Sequence, residues 1–321
     1  MEIVTPKVEL YVTRSFSDKL SAAFSFIREN WRVLLKYFIY TMLPASLVLG
    51  FFVNHFWGGY ISILDMTNNG LDDEVFIRFL LTTGVTIVVS VVVYGVFIAM
   101  FFALVRLYYQ RPERLVGLTN EEFMPEFIVC LKRSAIFMLV MVLIGILFFL
   151  VAAALVALGV VVHPGFGFLM LLLIYATVIA VAIPLTLAEP IYMMEDDISV
   201  VETVKKSLRL GFATWGGIFA VSFVFGLLTS VIQTFTMVPW YFLFVIKMVF
   251  TSAKVEDFSF VNSFIYTFME YLACVLQCLG YLLSAVVTTV GLLIQYGHAS
   301  DKIDGVGVAE NIEKFDEFDN F

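Results

Sequence analysis

Seven cations and three polar residues carry whatever chemistry this chain can do. The cations stand just ahead of long apolar runs: Arg28 and Arg32, then Lys132 and Arg133, then Lys205, Lys206 and Arg209. Lys and Arg in that place suit contact with anionic lipid headgroups, each contributing about 1 kcal/mol near a charged membrane surface. Glu189, Glu270 and Gln277 lie at or inside apolar runs. Ionisable groups at such depth can hold a proton or cation, or line an aqueous cavity. The plainer reading puts each glutamate at the interface and lets the glutamine bond to a neighbouring helix.

Neither set converges on a reaction. The sequence has no His-Glu-x-x-His, no Gly-x-x-x-x-Gly-Lys-Ser/Thr, no Gly-x-Ser-x-Gly and no Gly-x-Gly-x-x-Gly ahead of a helix. His55, His163 and His298 are single and close to the ends of apolar runs, where water can satisfy them. Cys274 and Cys278 share a helical face and Cys130 stands alone, too few ligands for a thiolate metal site. No catalytic residue, metal or other cofactor is expected, and no nucleic-acid partner.

The elements that position these residues are six stretches without a charge in their interiors: Leu34–Val53, Leu80–Val105, Ala135–Val162, Phe166–Ala188, Trp215–Val238 and Phe264–Tyr296, with Lys36 and Glu270 near segment ends. Each reaches the roughly 20 residues an α-helix needs to cross about 30 Å of hydrocarbon. Charged residues make up 14% of the chain, against about 25% in a soluble domain, and the six spans account for the deficit. The polar stretches 1–32 and 297–321 are too short to bury cores of their own. A single integral membrane domain over 1–321 is expected, all-α and polytopic. The first thirty residues lack the basic start and apolar core of a cleavable leader, so the first span is expected to direct insertion and to stay attached.

Lys and Arg give the orientation. Sixteen of the nineteen fall in the N-terminal part, the connections between spans 2 and 3 and between spans 4 and 5, and the C-terminal tail. Only Arg78, Lys247 and Lys254 fall on the other side. A multi-pass protein of the cytoplasmic (inner) membrane, with both termini cytoplasmic, is expected. The outer connections carry Asp65, Asp72, Asp73 and Glu74, then the short His163-Pro164-Gly165 turn, then an aromatic stretch from Pro239-Trp240-Tyr241 to Glu256-Asp257.

A threefold pattern runs through the cationic side. Ser15 to Asp18, Thr119 to Glu122 and Ser199 to Glu202 each set a hydroxyl three residues ahead of an acid, the capping-box signature. Steps of four, three and four residues then trace an apolar stripe from each cap: Leu20, Phe24, Ile27 and Trp31; Met124, Ile128, Leu131 and Ala135; Val204, Leu208, Gly211 and Trp215. Lys19, Arg28 and Arg32, Lys132 and Arg133, and Lys205, Lys206 and Arg209 take the opposite faces, as in helices that lie in the membrane interface. Three hairpins of spans are expected, each preceded by an amphipathic cytoplasmic helix: 15–105, 119–188 and 199–296, with 297–321 an acidic tail. In the middle copy Pro125 would break the first turns, or else the helix begins near Pro125 with the proline in its favoured first position.

The segment Ile191–Gly216, with Glu195-Asp-Asp197 leading into Lys206-Ser207-Leu208-Arg209, resembles part of the membrane domain of glycerophosphoryl diester phosphodiesterases and of related uncharacterised six-span bacterial membrane proteins. Lys132-Arg133-Ser134 echoes that centre, and Phe16–Pro44 is similar to the opening of such domains. The family's hydrolytic chemistry resides in a separate soluble barrel for which this chain has no room, so the resemblance implies a membrane module and no catalytic residue. The expected role is a non-catalytic integral membrane protein of the bacterial envelope. It would act through membrane lipids, with anionic headgroups at the cations, or through a protein partner or a second copy of itself. The alternative is a transporter or permease for a small amphipathic solute, with Glu189, Glu270 and Gln277 at its cavity. Pro44 and Pro184 interrupt spans but do not occupy corresponding positions of an inverted repeat.

Overall fold

A computed structural model describes residues 6–69, 73–252, 260–261 and 263–309. Asp72, Lys254, Glu256 and Asp257, and the tail beyond 309, lie outside these residues. Within them the chain is helical and has no strand. The elements are α1 (Phe16–Asn69), α2 (Asp73–Gln110), α3 (Asn120–Val162), α4 (Pro164–Leu185), α5 (Ala188–Met194), α6 (Val200–Ala213), α7 (Trp215–Ser252) and α8 (Phe264–Asp304). Six stretches are long and apolar enough to cross a bilayer, in α1, α2, α3, the α4–α5 segment, α7 and α8. This is an all-α polytopic membrane protein.

The capped starts are where the hydroxyl–acid spacing places them. The Glu202 N–H donates to Ser199 Oγ at 3.3 Å and the Ser199 N–H to Glu202 Oε2 at 3.0 Å, a complete box at α6. Thr119 and Glu122 exchange the same pair at 3.4 and 3.0 Å. α3 therefore starts at Asn120 and runs through Pro125 instead of beginning there; the reciprocal cap offsets the one backbone bond that proline removes. At α1 the Asp18 N–H reaches Ser15 Oγ at 3.2 Å, while Asp18 accepts from the Ser15 hydroxyl.

Beyond the caps the chain departs from expectation. Amphipathic segment and span were expected as separate helices in all three copies. Only α6 is separate. α1 continues for 54 residues, about 80 Å at 1.5 Å per residue, and α3 for 43. Trp31-Arg32-Val33 contains no residue that ends a helix. After Ala213 the backbone breaks at Thr214 (φ −125°, ψ 24°), just ahead of Gly216-Gly217. Along the apolar stripe of α1, Phe24 and Trp31 are exposed, and Ala23, Phe26 and Asn30 are buried beside it. Lys19, expected on the cationic outer face, is buried too.

The chain divides into two compact units. One takes the described residues up to Trp31, Lys132–Phe225 and those from Thr288 on; the other takes Arg32–Leu131 and Gly226–Val287. Neither unit coincides with the sequential segments 15–105, 119–188 and 199–296. In the second unit, Phe97–Val105 of α2 is buried on all sides, as a helix apolar all round must be when protein surrounds it. There Trp57 and Trp240 lie with ring centroids 4.5 Å apart, against buried Cys274. In the first unit, α3 and α4 meet at a tight turn. His163 caps α4 by accepting the Gly165 N–H at 3.0 Å, and Pro164 occupies the first turn.

Candidate functional site

The first unit concentrates polar chemistry where α4, α5 and α6 meet. Pro184 is the pivot. A proline inside a helix leaves the carbonyl four residues earlier without its backbone donor; here that carbonyl is Ala180 O, and the Trp215 indole N–H donates to it at 3.3 Å. The Ser207 hydroxyl donates to Pro184 O at 2.7 Å. Gly211 allows the approach, since a Cβ there would stand 2.5 Å from Pro184 Cα. Thr203, Ser207, Leu210 and Gly211 form the buried face of α6. Val201, Lys205, Arg209 and Phe212 form its exposed face.

The turn between α5 and α6 is held from three directions. The Arg133 guanidinium donates to the carbonyls of Tyr192, Glu195 and Asp196; the first is among the acceptors that the C-terminus of α5 leaves unpaired, and the others belong to its cap and the turn beyond. Lys206 Nζ donates to both oxygens of Glu195, at 2.8 and 2.9 Å. The fully buried Tyr296 hydroxyl donates to Glu195 Oε1 at 2.6 Å, with Tyr11 Oη 3.2 Å beyond it. A residue chain thus runs from the N-terminal segment through α8 to α6. Arg14 extends it: its backbone N–H donates to His298 Nδ1 at 3.0 Å. His298 is therefore buried and bonded, not the water-satisfied interfacial histidine its position suggested. Buried Lys19 donates to Gln295 Oε1 at 2.8 Å.

This scaffold encloses an open groove of about 580 Å³ lined by Glu195, Asp197, Glu202, Lys205, Lys206 and Arg209. Glu202 accepts from the Ser199 hydroxyl and the Ser199 backbone N–H, and these hold its carboxyl below the usual value. Arg209 meets Asp304 at 2.8 Å, yet its side chain remains 58% exposed. A second groove of about 580 Å³ in the same unit is lined by residues including Lys7, Glu9, Arg14, Asp18 and Arg28.

The seven cations separate by employment. Lys205, Lys206 and Arg209 share one groove and Arg28 lines the other. Arg133 and Lys206 serve mainly inside the protein, as anchors of the turn. Lys132 and Arg32 are exposed, and Arg32 belongs to the second unit. The three polar residues are not gathered. Glu189 is half-buried in the first turn of α5, in the first unit. Glu270 and Gln277 belong to the second, seven residues apart on α8 and so on nearly one face. There Lys247 Nζ meets Glu270 Oε2 at 2.8 Å, and Gln277 Oε1 is buried without a hydrogen-bond donor. Residues absent from the sequence-based candidates turn out to build the first unit's site: Tyr296, Glu195 and Pro184. Glu195 and Pro184 carried a signal, as an acid and a proline beside the cationic helix. Tyr296 carried none.

Among the described residues no group of three or more His, Cys, Asp or Glu could hold a metal ion. No protein-family model, curated protein or solved structure matches this chain.

Proposed function

We propose that this protein is a non-catalytic module of the bacterial cytoplasmic membrane, termini inside, that works by holding lipid headgroups at α6 and its neighbouring turn. The groove carries this reading. Its lining residues Lys205 and Arg209 lie on the face of α6 that also carries exposed Val201 and Phe212, the combination that an interfacial lipid site needs: cations for the headgroup, apolar side chains for the acyl region. The excess of Lys and Arg on one side of the spans supports the orientation. Replacing Lys205, Lys206 and Arg209 together by Ala should reduce the lipid that co-purifies with the protein, read by native mass spectrometry. Unchanged retention overturns the reading. Accessibility labelling of single cysteines placed at Lys132, Lys205 and Arg78 tests the orientation; Arg78 should label from the opposite face.

The Lys247–Glu270 pair and the undonated Gln277 Oε1 favour a second reading, transport through the second unit. It predicts that Glu270→Gln abolishes solute-driven proton or cation flux in vesicles.

A further inference from the structure

We propose that the α5–α6 groove selects a zwitterionic phosphodiester headgroup, phosphate toward Lys205 and Arg209 and ammonium toward Asp197. The inference rests on the lipid-holding reading above and names the lipid class.

Charge balance carries it. The groove is lined by three cations and three carboxylates, so its formal charge is zero. A site for a purely anionic headgroup would leave those carboxylates opposing the ligand. The six are not equivalent. Lys206 and Glu195 neutralise each other, and Tyr296 binds the same carboxylate. Glu202 is committed to the cap of α6. Lys205 and Arg209 are one turn apart on the exposed face of α6. Arg209 gives one N–H to Asp304 and has further donors to offer. Asp197 is exposed in the turn across from them. A phosphate bridging Lys205 and the donors of Arg209 that Asp304 leaves open, with an ammonium beside Asp197, gives both exposed cations an anion and Asp197 a cation.

The walls are fixed before any ligand arrives. Arg133 ties three carbonyls of the turn, and Pro184 with Ser207 and Gly211 fixes the bed of α6. Such preorganisation lowers the ordering cost of binding. Val201 and Phe212 bracket Lys205 and Arg209 on the exposed face of α6, so that a headgroup held there would have apolar side chains beside it for its acyl chains.

The test uses the full chain in nanodiscs made from equal parts phosphatidylethanolamine and phosphatidylglycerol, with retained lipid counted after detergent extraction. The wild type should be enriched in phosphatidylethanolamine. Asp197→Asn should shift the retained ratio about fivefold toward phosphatidylglycerol, matching roughly 1 kcal/mol for one surface charge, with total retention nearly kept. No enrichment in the wild type, or an unchanged ratio in the variant, overturns the selectivity while lipid holding stands. Unchanged total retention in the Lys205, Lys206 and Arg209 triple variant sinks lipid holding itself. Soluble phosphoethanolamine at millimolar concentration should not displace the lipid; displacement would name a free phosphoester as the occupant and overturn the lipid assignment.

Discussion

The α3–α4 hairpin and α8 are both membrane-crossing, and they are built on opposite rules. The most apolar windows of α3 and the α4–α5 segment have mean hydropathies of 3.2 and 2.6, with 0% and 6% of their residues buried. The window of α8 has a mean hydropathy of 1.8 and is 61% buried. In water the order would be reversed. In lipid, apolar side chains gain little by leaving the tails for protein, so high hydropathy does not by itself bury a helix: the hairpin stays at the surface, whereas α2, with a mean hydropathy of 2.7, is 56% buried. The packed helix α8 uses small and polar residues: Gly280, Gly291 and Gly297 for close approach, and Ser284, Thr289, Gln295 and Ser300 in the interior.

The largest test of this contrast removes a buried charge from α8. Glu270→Ala removes the carboxylate that meets Lys247 Nζ, in a pair whose side chains are only 9% and 25% exposed. We expect a loss of about 3 kcal/mol, the low end for deleting one partner of a buried pair, read as reduced resistance to denaturation in mild detergent. A loss below about 1 kcal/mol would mean that Lys247 is satisfied elsewhere and that the interior of α8 is less committed than its burial implies.

Next come the glycines. A Cβ at Gly297 would stand 2.1 Å from the Leu10 carbonyl oxygen, which is backbone and cannot swing aside. Gly297→Ala should therefore cost about 2 kcal/mol, in the range of overpacked interiors, and should loosen the N-terminal segment that Tyr11, Thr13 and Arg14 tie to α8. A Cβ at Gly145 on α3 meets nothing within 4 Å. Gly145→Ala should stabilise, by at most about 1 kcal/mol of helix propensity. Thermal unfolding of both variants in one detergent gives the opposite signs or denies them.

These magnitudes show how unevenly the structure was legible. The apolar runs located all six crossing helices, and the hydroxyl–acid spacing located three helix starts. Local signals of that kind need no partner. The separation of surface helix from span was misjudged twice because amphipathicity changes along α1 and α3 without any residue that stops a helix; only Thr214 with Gly216-Gly217 supplies a stop. The Tyr296 anchor of the groove could not be read at all. Tyr296 and Glu195 are 101 residues apart, and a tyrosine at the end of an apolar run reads as an interfacial aromatic.

Between the two extremes stands α6, buried on one face only. Ser199→Ala removes its cap and should cost about 1 kcal/mol. The cap also titrates. Because Glu202 is held below the usual carboxylate value by Ser199, its contribution is complete above the unfolded glutamate pKa of about 4.3 and is lost as pH falls through the lower folded value. Wild-type stability should therefore decline across that acidic window, and the decline should be shallower in Ser199→Ala. Parallel acid slopes would separate Glu202 from the cap.

The smallest expected effect is the sharpest test of the hairpin. Phe149 on α3 is 69% exposed. Truncating a phenylalanine in a soluble core costs about 3–5 kcal/mol because the cavity stays empty. At a lipid-facing position acyl chains refill the space, so Phe149→Ala should change stability by no more than about 0.5 kcal/mol, the ordinary range for a surface site. The same variant reports on assembly. A loss of about 2 kcal/mol or more, well outside that surface range and accompanied by a smaller particle in detergent, would mean that a second copy of the chain covers this face. The apolar surface of the hairpin would then be an interface between proteins, and the contrast with α8 would be one between two kinds of packing instead of between packing and lipid.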